Sequence, residues 1–159
     1  MTKAIFLDRD GTIIVDKGYL GNPDGIEFIP GVLSALRRFQ EAGFLLIMVS
    51  NQSGIGRGLF TETAYHAVQR RFDALLRASG IRFAGYYHCP HAPDENCACR
   101  KPKPLLAFVA AEKHHIDLFE SYMIGDKDSD IAFGKNFGAK LSFRSIREFL
   151  EQTEMALIR

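Results

Sequence analysis

The stretch AIFLDRDGTI (residues 4–13) opens on four apolar residues and then sets two carboxylates, Asp8 and Asp10, ahead of Gly11 and Thr12. AIFL is too short for a helix, and an unbroken apolar run of this length suits a strand buried on both faces of a parallel sheet. On a strand, positions i and i+2 point the same way. Asp8 and Asp10 are therefore expected together at the carboxyl edge of that sheet, where α/β proteins place their ligands. Two carboxylates about 4 Å apart repel by roughly 4 kcal/mol at an effective dielectric near 20, so the pair calls for a cation or a shared proton. Gly11 permits a sharp turn and Thr12 offers a hydroxyl. A solvated turn or a calcium loop would use similar residues. An EF-hand loop, however, continues with further oxygen ligands and a distal Glu, where this chain has Ile13-Ile14-Val15.

Outward from this stretch, short apolar runs recur at FLLIMV (44–49), GYYHC (85–89), YMIG (122–125) and AKLSF (139–143). Amphipathic segments lie between them. One spans 32–42 and stops at Gly43. Another is capped by Thr61 and runs to about Ser79, before Gly80. Pro104 suits the first turn of LLAFVAAEKHH. Asp128 can cap a short helix ending near Gly138, and Ser145 with Glu148 forms a capping-box pattern for a last helix. This alternation predicts an α/β fold: a Rossmann-like, mostly parallel sheet with helices on both faces and no large cap. Residues 11–30 break the rhythm. There TIIV, a turn at DKGYLGNPDG and IEFI predict a small hairpin-like excursion.

At 159 residues the chain suits one domain, 1–159, and is too short for two ordinary ones. A net charge of +1, with 47% apolar and 25% charged residues, gives no reason to expect a nucleic-acid or membrane partner. Charge at Lys3, Asp8, Arg9 and Asp10 leaves no signal-peptide apolar region, and FLLIMV is far shorter than a membrane span. The chain is expected to be a cytoplasmic monomer whose thiols stay reduced.

Three more stretches fall at predicted strand ends or beside them. VSNQSGIGRG (49–58) puts the Ser50 hydroxyl before a glycine-rich turn whose N–H groups suit a phosphate, though turn chemistry alone favours the same residues. Arg57 is a candidate for a second anionic group, or a solvated loop arginine. GDKDSD (125–130) brings Asp126, Asp128 and Asp130, of which one or two can serve the helix dipole. CPHAPDENCACRKPKP (89–104) holds all three cysteines. Cys89, His91, Cys97 and Cys99 form a Cys₃His set suited to a closed structural zinc site; buried free cysteines or a redox pair are the other readings. His88 is expected near that loop, while His66, His114 and His115 show no evident partners.

The hhhDxDGT pattern at 5–12 resembles the first motif of the haloacid dehalogenase superfamily of phosphohydrolases. The resemblance implies Asp8 as the nucleophile and Asp10 as acid and base. It further implies Ser50 as a phosphoryl contact, Lys101 as the neutralising cation, and Asp8, Asp10 and Asp126 about a magnesium ion. Asp130 would support the site from behind. FLDRDGTI, DKGY, SNQSGIGRG, CPH…CxCRKP and GDK, over about residues 4–140, are similar to a narrower family: heptose 1,7-bisphosphate phosphatases, which remove the C7 phosphate, and the related histidinol-phosphate phosphatases. That similarity implies a small phosphorylated metabolite as substrate. Its candidate contacts are Asp16, Lys17, Gly18, Tyr19, Asn51, Gln52, Ser53, Arg57, Arg100 and Lys127, with zinc on Cys89, His91, Cys97 and Cys99. NQSGIGRG and DKGYL favour the heptose branch; the five-residue link between the zinc-ligand pairs favours the histidinol branch. After AKLSF the chain passes almost directly to a final helix, a departure that implies one edge strand fewer. A zinc-stabilised module that binds phosphate without catalysis would have no need of Asp10.

Overall fold

A computed structural model describes residues 1–153. Among these residues five strands form one sheet: β1 (Ala4–Leu7), β2 (Leu45–Asn51), β3 (Gly85–Cys89), β4 (Tyr122–Ile124) and β5 (Leu141–Phe143). All neighbouring pairs are parallel, in the order β3-β2-β1-β4-β5. The predicted strand runs each form a strand. The order reverses beside β1, the kind of switch point where an open parallel sheet leaves a crevice at its carboxyl edge.

Among the described residues there are six α-helices: α1 (Val32–Glu41), α2 (Ser53–Gly56), α3 (Glu62–Ala78), α4 (Leu105–His114), α5 (Asp128–Phe137) and α6 (Ile146–Gln152). The side-chain alternation of β1 divides the core in two. Ile5 and Leu7 pack with Leu36 and Phe39 of α1, Val68 and Phe72 of α3, and Phe149 of α6. Ala4 and Phe6 face the other way, onto Ala107 and Ala110 of α4 and Phe133 and Phe137 of α5. Burying one such side chain contributes about 1.5–3 kcal/mol, so both layers anchor the central strand.

Thr61 accepts a hydrogen bond from the Ala64 N–H at 3.0 Å, and Ser145 from the Glu148 N–H at 3.0 Å, as their positions before α3 and α6 predict. Asp128 is the first helical residue of α5 rather than its cap; the extended residue there is Lys127. The excursion at 11–30 is a narrow antiparallel bridge. Val15 N–H donates to Glu27 O at 2.8 Å and Ile29 N–H to Ile13 O at 3.0 Å, around the Ile14–Phe28 pair. Among the described residues no helix is long and apolar enough to cross a membrane.

Candidate active site

β1 ends at Leu7, but its ladder reaches one residue further, because Asp8 N–H donates to Ile124 O at 3.0 Å. The nearly buried Asp8 carboxylate thereby sits on the seam between β1 and β4. The chain then turns sharply at Gly11, whose φ of +84° is a left-handed conformation. A Cβ there would lie 2.9 Å from Asp126 Cγ and nearer still to Oδ2. Glycine at this position thus serves both the turn and the approach of Asp126 from the end of β4.

Lys101 joins these groups. Its buried Nζ donates to Asp8 Oδ1 at 3.0 Å, Asp130 Oδ1 at 2.7 Å and Val49 O at 2.6 Å. Burial alone would lower its pKa; Asp8 and Asp130 outweigh that and hold the ammonium above its ordinary value. Asn51 pins the same residue by its backbone, accepting from Lys101 N–H at 3.0 Å and donating to Lys101 O at 3.2 Å. Burial pushes the Asp126 carboxyl above its usual range; Lys127 opposes the shift and Asp8 adds to it.

Asp8, Asp126 and Asp130 each offer a carboxylate oxygen, all within 4.8 Å of one another. The second oxygen of Asp130 accepts from Lys127 N–H at 3.1 Å and its first is on Lys101, which leaves Asp8 and Asp126 as the pair available to a cation. An oxygen-only set with few protein donors fits magnesium, which keeps several waters. The Asp10 carboxylate does not join this group. It lines the same recess as Asp8, but its oxygens are engaged elsewhere. Asp10 instead accepts from Gln52 Nε2 at 3.0 Å and pairs with Arg9 Nη2 at 3.1 Å. Gln52 Nε2 also reaches Ser50 Oγ at 2.6 Å.

A cleft of about 330 Å³ opens over these residues, lined in part by Asp10, Asp16, Gly18, Tyr19, Arg100 and Lys127. Asn51, Gln52 and Ser53 line it as well, together with Ser129, which the sequence did not single out. Lys17 and Arg57 are not on its wall. Lys17 Nζ lies 3.4 Å from Glu27 Oε1, and Arg57 Nε donates to Ser53 Oγ at 3.4 Å. Lys127 Nζ is 3.9 Å from Asp16 Oδ2. Burial would lower its pKa, but Asp8, Asp126 and Asp16 keep it raised. Arg100 Nη1 is buried with no hydrogen-bond partner among the described residues.

The four residues of the cysteine loop converge. Cys89 Sγ lies 3.4 Å from His91 Nδ1, 3.5 Å from Cys97 Sγ and 3.0 Å from Cys99 Sγ, and His91 Nδ1 lies 3.3 Å from Cys99 Sγ. No pair is a disulfide. Three sulfurs and one imidazole nitrogen gathered on one point are the donor set of a closed structural zinc site. Burial opposes ionisation of Cys97, yet hydrogen bonds from Cys89 and from the Cys99 and Arg100 backbone outweigh it and bring that thiol down to about 6.

The loop is fastened to the active-site edge. Gln52 N–H donates to Cys89 O at 2.8 Å and Gly56 N–H to Pro90 O at 2.8 Å. A Cβ on Gly56 would stand 2.6 Å from Ala92 N, so α2 and the loop meet backbone to backbone. His88 turns away from the cluster: its Nε2 lies 3.1 Å from Glu62 Oε2, and its ring packs on Tyr65. His66 shares Glu62 at 3.5 Å, and His114 Nε2 meets Tyr87 Oη at 2.9 Å.

Arg9 and Gln69 escape a reading of sequence alone. Arg9 is flanked by two aspartates and looks like a solvated turn residue, yet its side chain is fully buried. The available signal is in α3, where Gln69 breaks the buried series Tyr65, Val68, Phe72 and Leu76. A nearly buried amide on that face needs a partner, and its Oε1 accepts from Arg9 Nη1 at 3.3 Å.

A family model described as HAD-hydrolase-like matches residues 98–143. Against the D-glycero-β-D-manno-heptose-1,7-bisphosphate 7-phosphatase of Helicobacter pylori the chain is 45% identical over 139 residues, covering 87% of this chain and 80% of that one. Against the Yersinia pestis enzyme of the same name it is 43% identical over 162 residues, covering 96% and 86%. The crystal structure of D,D-heptose 1,7-bisphosphate phosphatase from B. bronchiseptica, complexed with magnesium and phosphate, superposes with a TM-score of 0.80 at 33% identity, over 86% of this chain and 77% of that one. Identity of this order over most of both sequences extends well beyond the site loops, and with the fold in common it settles kinship: the chain belongs to the D-glycero-β-D-manno-heptose-1,7-bisphosphate 7-phosphatase family of haloacid dehalogenase-like phosphatases.

Proposed function

We propose that the chain removes the C7 phosphate of D-glycero-β-D-manno-heptose 1,7-bisphosphate through an aspartyl-phosphate on Asp8. The observation that carries this reading is the division of the carboxylates. Asp8 is clamped to a buried lysine at 3.0 Å, while Asp10, two residues on, is held by Arg9 and Gln52 with its rim open to the cleft. Two carboxylates in different surroundings can take different roles.

In the first step an Asp8 oxygen attacks phosphorus. The bond from phosphorus to the C7 oxygen breaks, its electron pair stays on that oxygen, and Asp10 supplies the proton. In the second, Asp10 takes a proton from water as the water oxygen attacks phosphorus. The bond to Asp8 breaks, its electron pair returns to the carboxylate, and inorganic phosphate leaves. Lys101 offsets the charge gathered on Asp8 and the phosphoryl oxygens. Ser50 Oγ accepts from Gln52, which frees its own proton for a phosphoryl oxygen. Magnesium held by Asp8 and Asp126 would supply the further positive charge that phosphoryl transfer needs.

The second phosphate, at C1, suits Arg100 and Lys127 on the cleft wall. A buried guanidinium N–H without a partner costs about 1–3 kcal/mol, and a bound anion would recover it. Lys17 and Arg57 are poorer candidates, since Lys17 already faces Glu27 and neither lines the cleft. Zinc on Cys89, His91, Cys97 and Cys99 would leave no open coordination position; its contribution is to fix the loop that carries Arg100 and Lys101.

The test is kcat/KM with magnesium for both anomers of the heptose bisphosphate, for hexose bisphosphates and for histidinol phosphate. The heptose bisphosphate is expected to be preferred, with the preference over monophosphates lost in Arg100→Ala. A higher value for histidinol phosphate would overturn the assignment and favour the branch to which the short zinc-ligand link points.

A further inference from the structure

We infer that Arg9, steadied by Gln69 of α3, is the positioning residue for proton transfer by Asp10, an inference that rests on the acid–base role given to Asp10 above. Arg9 is fully buried, and each of its three side-chain nitrogens has a partner. Nε donates to Asp10 Oδ2 at 3.3 Å, Nη2 lies 3.1 Å from the same oxygen and 3.3 Å from Oδ1, and Nη1 donates to Gln69 Oε1 at 3.3 Å. The guanidinium stands 5.7 Å from the centroid of the Tyr65 ring, a cation–π distance. The Gln69 NH₂ faces Met48 Sδ at 3.7 Å, which leaves its carbonyl oxygen turned to Arg9.

A fork gripping both oxygens of one carboxylate fixes direction as well as charge. Direction matters at this residue because Asp10 shares a recess with the nucleophile Asp8 and with two ammonium groups, Lys101 and Lys127. Lys101 is already committed to Asp8, Asp130 and Val49 O, but the Lys127 ammonium could draw the Asp10 carboxylate aside. Arg9 and Gln52 hold it in place instead, on the wall of the cleft where the leaving oxygen must lie. The relay Gln69–Arg9–Asp10–Gln52–Ser50 thus ties a helix on one face of the sheet to the groups around the phosphoryl site.

Purely structural loss and loss of positioning separate by leaving group. Expelling a sugar alkoxide needs the Asp10 proton, whereas 4-nitrophenolate leaves readily without it. Since kcat/KM reports the chemistry through expulsion of the leaving group, the two substrates should diverge in that constant. In Arg9→Met, kcat/KM for the sugar bisphosphate is expected to fall about 10²-fold, within the range of general acid catalysis, and that for 4-nitrophenyl phosphate by under about threefold. Water attack also uses Asp10, so kcat should drop for both, and rapid mixing with 4-nitrophenyl phosphate should show a burst of product. Gln69→Leu, which leaves the Asp10 pair in place but frees the guanidinium, should show the same divergence at roughly a tenth of the size, and decides the matter if Arg9→Met does not fold. Equal losses on the two substrates, or an unchanged sugar-phosphate constant in Gln69→Leu, would overturn the inference. Asp10→Asn run in parallel separates the two levels. If it shows the divergence and the Arg9 and Gln69 variants do not, only the positioning role is wrong; if it shows none, the acid role of Asp10 falls and this inference with it.

Discussion

Lys101 is the residue on which most of the buried charge depends. It stands between two buried carboxylates, Asp8 and Asp130, and removing one partner of such a group leaves uncompensated charge at a cost of about 3–5 kcal/mol. Lys101→Met is expected to lower the urea midpoint accordingly and to abolish turnover. Adding Asp130→Asn should restore part of the stability and none of the activity; an unchanged midpoint in the single variant would contradict the clamp. Gly11→Ala tests the turn. The left-handed conformation costs a residue with a Cβ about 1–2 kcal/mol, and that Cβ would meet the Asp126 carboxylate. The magnesium concentration for half-maximal activity should rise at least tenfold, a value that a merely strained turn would leave alone. Asp8, Asp126 and Lys101 were legible in the sequence because each stands at a strand end or in a fixed motif. Arg9 and Gln69 were not, since burial of a charged turn residue depends on a helix sixty positions away.

The elements were read more completely than their contacts. Apolar-rich runs of four to six residues and helix caps at Thr61 and Ser145 carry local signals. Lys127 before α5 carries none, which is why Asp128 was expected in its place. The seven-residue β2 and the short α2 that follows it form the platform for the cysteine loop, through Gln52 N–H and Gly56 N–H. Neither contact has a sequence signature, because both are made by backbone. The loop itself buries little apolar surface, so its shape should depend on zinc. Cys97→Ser is expected to reduce the zinc measured by elemental analysis from about one ion per chain and to raise KM, because the loop that carries Arg100 loses its anchor. The far-ultraviolet circular dichroism and the urea midpoint of the sheet core should change little. A wild-type protein that holds no zinc under reducing, metal-replete conditions would contradict this account of the loop.

At the scale of the whole molecule, the sheet order decides which residues can meet. The alternation of strands and helices predicted a parallel sheet, but not that β4 would lie beside β1. That adjacency, with Asp8 N–H bonded to Ile124 O, brings Asp126 to Asp8 across more than a hundred residues. Long-range pairing of this kind is invisible to local patterns, and the first-motif resemblance supplied what periodicity could not. The excursion at 11–30 and the cysteine loop then wall the cleft in place of a cap. The central claim is that phosphate passes through a covalent bond to Asp8, and the most direct measurement is to trap it. The protein is mixed with the heptose bisphosphate and magnesium, quenched in acid within milliseconds and reduced with borohydride, which converts an aspartyl-phosphate to homoserine. Peptide mass spectrometry should find homoserine at position 8, absent without substrate and absent in Asp8→Asn, which should also fail to turn over. Steady turnover by Asp8→Asn, or the label at another residue, would contradict the account.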